Sequence, residues 1–318
     1  MYLGVVAGVE SAPSSICKGS RIAMDFIENI LRQWYFVLPF FAIFLSGCVR
    51  QAETGKLPVV ASIAPLAYFA ERIGGDHVTV SVMVPPGGNP HSYEPSPRQM
   101  ARLGEAALFI KAGSGVEFEL DWMERFLSIS PALRVCNGVE GVRLLRIKHA
   151  GCSHHDEPYD PHYWLSVANG IVIAKNVERA LAALDPSRSA EYEANSQKLQ
   201  AELHLLDREI KQKLAGVKKR RFLVFHPAWG YYADSFQLEQ IAVEEEGKTL
   251  TPRQMQRVIE KAKANDIGVV FVSPQFSRSQ AETIASEIGG KTRSVDPLSS
   301  DYQDNLRRAT SAFLESMR

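Results

Sequence analysis

The sequence predicts an α/β protein of two similar lobes. Each lobe would be a small, mostly parallel sheet flanked by helices, the two joined by a long backbone helix with a cleft between them. Three observations predict this. Strand-like and helix-like segments alternate in both halves, which calls for parallel strands with crossover helices. A long amphipathic stretch near the middle carries Tyr192, Leu199, Leu203, Leu206, Ile210 and Leu214, spaced to fall on one face of a rod. Four residues able to hold a metal, His91, His162, His226 and Asp296, all fall in loops.

Taken in order, residues 58–63 read as a buried strand and 64–73 as a helix closed by Gly74-Gly75. Residues 78–84, rich in β-branched side chains, form a second strand. The run Pro85-Pro86-Gly87-Gly88-Asn89-Pro90 is a loop from which His91 emerges. A helix over 96–103 with Pro97 in its first turn and a strand over 107–111 follow. Between about 146 and 161 the apolar period disappears, so a surface loop is expected, with a His- and acid-rich stretch over 149–160. Helices are expected over 167–184 and through the long rod to Gly216, broken at Asp185-Pro186. The second half reads strand 222–225, helix 251–264 capped by Thr251 and Pro252, strand 268–272, helix 279–288, strand 291–295 and a closing helix 303–317. The lobes are thus expected at 58–166 and 217–318, with 167–216 connecting them.

The first residues differ. Residues 34–45 are apolar except for Pro39, too short to span a bilayer comfortably and suited to a signal-peptide core. The core ends in Leu45-Ser46-Gly47-Cys48, which resembles the bacterial lipoprotein signal. On that reading residues 1–47 are removed, Cys48 is lipidated and 48–57 form a tether holding the protein to a membrane without spanning it. A plain secretory signal or an anchor helix is the alternative. Asp25 and Glu28 fit a signal poorly, and a start at Met24 would restore an ordinary length. Export would permit Cys136 and Cys152 to pair, which spacing alone leaves open.

The 318 residues carry 36 Lys and Arg against 36 Asp and Glu, so no charge excess argues for a nucleic-acid partner. The basic run Lys218-Lys219-Arg220-Arg221 reads as a solvated turn before a buried strand. Gly113-Ser114-Gly115 after a strand lacks the further glycine or the lysine of a nucleotide-binding loop.

Three imidazoles and one carboxylate form a natural tetrahedral set for zinc. Ligands of open α/β sheets sit beyond the carboxyl ends of strands, where His226 and Asp296 fall. Two facing sheets would bring His91 and His162 to the same cleft. Pro90, Pro161 and Pro227 flank the histidines and stiffen the loops that present them.

The stretches Pro-His-Ser-Tyr-Glu-Pro (90–95), Asp-Pro-His-Tyr-Trp-Leu (160–165), His-Pro-Ala-Trp-Gly-Tyr-Tyr-Ala (226–233), Pro-Gln-Phe-Ser (274–277) and Asp-Pro-Leu (296–298) occur in one order. With them the chain resembles the metal-binding group of ABC-transporter solute-binding proteins, particularly its zinc branch, from about residue 58 onward. The resemblance implies two α/β lobes, one transition metal held by His91, His162, His226 and Asp296, and a membrane permease as partner. It implies capture by a monomeric, extracytoplasmic lipoprotein rather than catalysis. Histidine at 226, where manganese-type relatives tend to place a carboxylate, favours Zn2+ over Mn2+. His154, His155, Asp156 and Glu157 match a His- and acid-rich loop of zinc members and are candidates for auxiliary metal binding. A manganese- or iron-type member and a zinc-containing adhesin are the alternatives. A zinc hydrolase is disfavoured, because no His-Glu-x-x-His helix occurs and four protein ligands would leave no place for water.

Overall fold

A computed structural model describes residues 55–147, 159–244 and 250–317. The leader, Cys48, Cys152 and the auxiliary-loop candidates His154, His155, Asp156 and Glu157 lie outside the described residues. The first sheet contains β1 (Leu57–Ala61), β2 (Val78–Val82), β3 (Leu108–Lys111) and β4 (Arg134–Asn137) in the order β2-β1-β3-β4. The second contains β5 (Arg221–Val224), β6 (Glu239–Ala242), β7 (Val269–Val272) and β8 (Lys291–Ser294) in the order β6-β5-β7-β8. Every pairing is parallel. In each sheet the winding reverses between the two central strands, and a crevice opens there beyond their carboxyl ends.

The crossover helices of the first lobe are α1 (Ala64–Gly74), α2 (Pro97–Glu105) and α3 (Glu117–Ile129). The connection is made by α4 (Val167–Leu184) and α5 (Ser189–Leu214). The second lobe adds α6 (Gly230–Ser235), α7 (Pro252–Ala264), α8 (Ser279–Glu287) and α9 (Tyr302–Ser316). Capping boxes start α2 (Ser96 with Gln99) and α7 (Thr251 with Gln254), each followed by proline where no helical N–H is needed. At 26 residues α5 is about 39 Å long. Its buried face is the stripe Tyr192, Leu199, Leu203, Leu206, Ile210 and Leu214.

Alternation along the central strands divides the apolar residues between two clusters. Phe222, Val224 and Phe271 join a core that continues through α4 and α5 to the first sheet. Leu223, Val270 and Val272 point to the opposite face, beneath α7 and α8. Phe313 of α9 stacks on Phe222, with centroids 4.2 Å apart. The two lobes therefore share one apolar core through the connecting helices.

Four elements were not legible in the sequence: α3, β4, α6 and β6. Both strands are four residues long and lie at sheet edges, each burying one side chain, Cys136 in β4 and Ile241 in β6. Burial pushes the Cys136 thiol up to about 12, so it stays protonated and inert. In the basic run, Arg220 donates to the carbonyls of Leu214 and Phe236, which end α5 and α6, while Arg221 pairs with Glu239. Arg220 thus places its positive charge at two helix carboxyl ends, where cations are favoured.

Candidate metal centre

Each candidate histidine is set by its own segment. His91 lies in the loop from β2 to α2, and its backbone N–H donates to Asn89 Oδ1 at 3.0 Å. His162 precedes a short turn over Tyr163–Leu165 that leads into α4. His226 lies two residues past β5. The structure brings these three together, with one ring nitrogen of each within 4.8 Å of the others. His91 Nε2 is 3.3 Å from His226 Nε2, and His226 Nε2 is 3.3 Å from His162 Nε2. Two nitrogens bound to zinc at 2.0–2.1 Å with a tetrahedral angle would be about 3.3–3.4 Å apart. The spacing is that of a ligand set around one ion.

The opposite ring nitrogen of each histidine faces a carboxylate. His91 Nδ1 is 2.7 Å from Glu117 Oε2, His162 Nδ1 is 2.8 Å from Asp160 Oδ1 and His226 Nδ1 is 3.0 Å from Glu244 Oε2. A carboxylate only accepts, so in each neutral ring Nδ1 carries the proton and Nε2 presents its lone pair. This is the carboxylate–histidine–metal arrangement, which fixes ring orientation and raises ligand basicity. Asp160 Oδ1 also accepts the backbone N–H of His162 at 2.9 Å, so ring and backbone are held by one atom. None of these three carboxylates was identified as functional from sequence. Asp160 stood two residues before a candidate ligand, but Glu117 and Glu244 lie 26 and 18 residues from their histidines, and only the fold pairs them.

Burial sharpens the chemistry. His162 and His226 are each 6% exposed, while His91 sits at the solvent side of the set. Burial pushes His226 down to about 4 against the raising influence of Glu244, so the ring is a neutral donor at ordinary pH. Burial would raise the Glu117 carboxyl, but its hydrogen bond and attraction to His91 outweigh this and hold it below its ordinary value. Phe276 stacks on His226 at 4.3 Å and lies 6.2 Å from His91, an apolar plate over one side of the set.

Asp296 does not join the convergent set. Its Oδ1 accepts from Gln275 Nε2 at 2.8 Å and from the Leu298 N–H at 2.9 Å. The structure groups the three expected histidines, while the expected fourth ligand, Asp296, lies apart from them with its Oδ1 already hydrogen-bonded. The Asp-Pro-Leu turn uses the carboxylate to close itself and to hold the Gln275–Phe276 loop.

Two parallel α/β lobes with a buried three-imidazole set between them define a protein built to hold one metal ion. The chain belongs to the family described as ZnuA, zinc-uptake complex component A periplasmic, which matches residues 59–316. A crystal structure of ZnuA superposes with a TM-score of 0.78 at 36% identity, covering 83% of this chain and 100% of that one. The zinc-binding lipoprotein AdcA of Streptococcus pneumoniae is 27% identical over 279 residues, 84% of this chain and 55% of AdcA, so the chain spans about half of that relative. The iron ABC transporter substrate-binding lipoprotein MtsA of Streptococcus pyogenes is 29% identical over 271 residues, 79% of this chain and 84% of MtsA. Membership makes the protein a metal-binding component of an uptake system, not an enzyme.

Proposed function

We propose that the protein captures one Zn2+ outside the cytoplasmic membrane through His91, His162 and His226 and delivers it to the permease of an ABC transporter. The observation that carries this reading is the convergence of three imidazoles, with His226 Nε2 at 3.3 Å from Nε2 of both His91 and His162 and each ring backed by a carboxylate. An all-imidazole donor set suits zinc better than manganese, which prefers oxygen. The relatives divide between zinc and iron by name, and the all-imidazole donor set supports zinc. The fourth position is filled by solvent, or by Asp296 once Gln275 releases it. Glu117, Asp160 and Glu244 supply negative charge that offsets the ion's two positive charges.

A lipid on Cys48 tethers the monomer to the membrane in this reading, and the loop with His154, His155, Asp156 and Glu157 gathers metal for the cleft. No helix among the described residues is long and apolar enough to cross a membrane. Competition titration of chelated protein with zinc, manganese and iron tests the assignment. One tight zinc per chain, weakened by orders of magnitude in His226→Ala, is expected. Preference for manganese or iron would move the protein to another branch of the same uptake group.

A further inference from the structure

The first lobe contains a second feature that the ligand set does not explain. Glu119 is 3% exposed, yet it makes no contact with any histidine; its Oε1 accepts the Ala112 N–H at 2.6 Å and its Oε2 the Gly113 N–H at 2.8 Å. A buried carboxylate is costly unless hydrogen-bonded, and here both oxygens are used to close the loop between β3 and α3. Burial still raises its pKa above the ordinary value, despite those bonds. Gly113 has φ of +73° and a Cβ there would meet Asn137 Oδ1 at 1.8 Å, so the loop can take this shape only with glycine.

The closed loop and the start of α3 are bolted to both neighbours of His162 and to the residue before His91. Toward His162, Ser114 Oγ donates to Pro161 O at 2.6 Å and Tyr163 Oη donates to Ala112 O at 3.0 Å. These bonds hold the residues immediately before and after His162. Toward His91, the Phe118 N–H donates to Pro90 O at 3.3 Å, and Glu117 meets the His91 ring at 2.7 Å. His91 and His162 are 71 residues apart in the chain, and this loop touches the neighbours of both.

We infer that Glu119 is a positioning residue for metal capture: by closing the 112–119 loop it presets the separation and orientation of His91 and His162 before an ion arrives. The inference rests on the three-histidine reading but adds a residue that never touches the metal. Pre-organisation raises affinity because the ordering cost is met in folding rather than in binding.

The test measures zinc affinity by competition and thermal stability for the full chain, wild type against Glu119→Gln. Glutamine keeps the shape but turns an amide N–H2 toward a backbone N–H, so one bond is lost. A fall in zinc affinity of about tenfold is expected, the low end of the range for outer-shell partners. A buried control, Asn176→Ala, removes bonds to the carbonyls of Gly138 and Glu140 and is expected to lower stability without changing affinity. The visible spectrum of the Co2+-loaded Glu119→Gln protein should also change, which simple destabilisation would not cause. Unchanged zinc affinity and an unchanged Co2+ spectrum in Glu119→Gln would overturn the inference, as would an equal affinity loss in Asn176→Ala. Should Glu119→Gln fail to fold, Ser114→Ala and Tyr163→Phe carry the test by cutting the bolts beside His162, and unchanged affinity in both would overturn it. Wild-type protein without tight zinc would instead sink the three-histidine reading itself.

Discussion

Replacing Glu244 by glutamine separates charge from geometry at a buried candidate ligand, His226. Glu244 Oε2 lies 3.0 Å from His226 Nδ1, and the two side chains are 4% and 7% exposed. A glutamine oxygen can still accept the Nδ1–H, so ring orientation and tautomer survive while the negative charge is lost. Outer-shell partners of metal-bound histidines are worth about 10–100-fold in affinity, or about 1.4–2.7 kcal/mol. In a buried pair the charge is poorly screened, so the loss should fall well inside that range. Glu117→Gln provides the internal comparison. Its side chain is 51% exposed against 24% for His91, water screens the pair, and the cost should stay below about tenfold. Competition with a chromogenic chelator at one pH and ionic strength measures both variants. A loss for Glu117→Gln equal to or larger than that for Glu244→Gln would refute the burial argument. A Glu244→Gln protein that binds like wild type would refute the role of the carboxylate altogether.

Other consequences concern packing, pH and metal removal. A Cβ on Gly230 would lie 2.4 Å from Asp160 Oδ2, so Gly230→Ala should displace the carboxylate that holds His162 and weaken zinc binding about tenfold, read by the same titration. His226 has a folded pKa of about 4 against 6.5 for the free side chain, so the unfolded chain binds its proton first as pH falls. The metal-free protein should therefore be fully stable with respect to this group above about pH 6.5 and lose roughly 3 kcal/mol as pH falls to about 4. Chemical denaturation across that window checks this, and a stability flat in pH, or unaffected by His226→Gln, would contradict it. Zinc at a hundredfold excess over its Kd should add about 2.7 kcal/mol to stability, a rise in Tm of roughly 5–10 °C that chelator reverses.

The parts legible in the sequence were those whose signal is local. Central strands such as Leu108–Lys111 and Val269–Val272 read as apolar runs because they are covered on both faces. The stripe on α5 was legible because its period is helical and 26 residues long. The candidate histidines stood out because prolines and turn residues surround them. What stayed hidden depended on tertiary pairing. The edge strands β4 and β6 bury too little to show a period, and α3 starts at Glu117 with no side-chain cap to mark it. Nothing near Glu117, Glu119 or Glu244 in the chain reveals what they meet. Asp296 shows the same dependence on tertiary partners. Its place after β8 suited a ligand, but Gln275 and the Leu298 N–H claim its Oδ1.

X-ray absorption at the zinc edge of the zinc-loaded protein reads the ligand shell itself. Three imidazole nitrogens at about 2.0–2.1 Å with at most one further oxygen are expected. A shell with two or fewer imidazoles, or one dominated by oxygen, would contradict the assignment of His91, His162 and His226 as the zinc ligands.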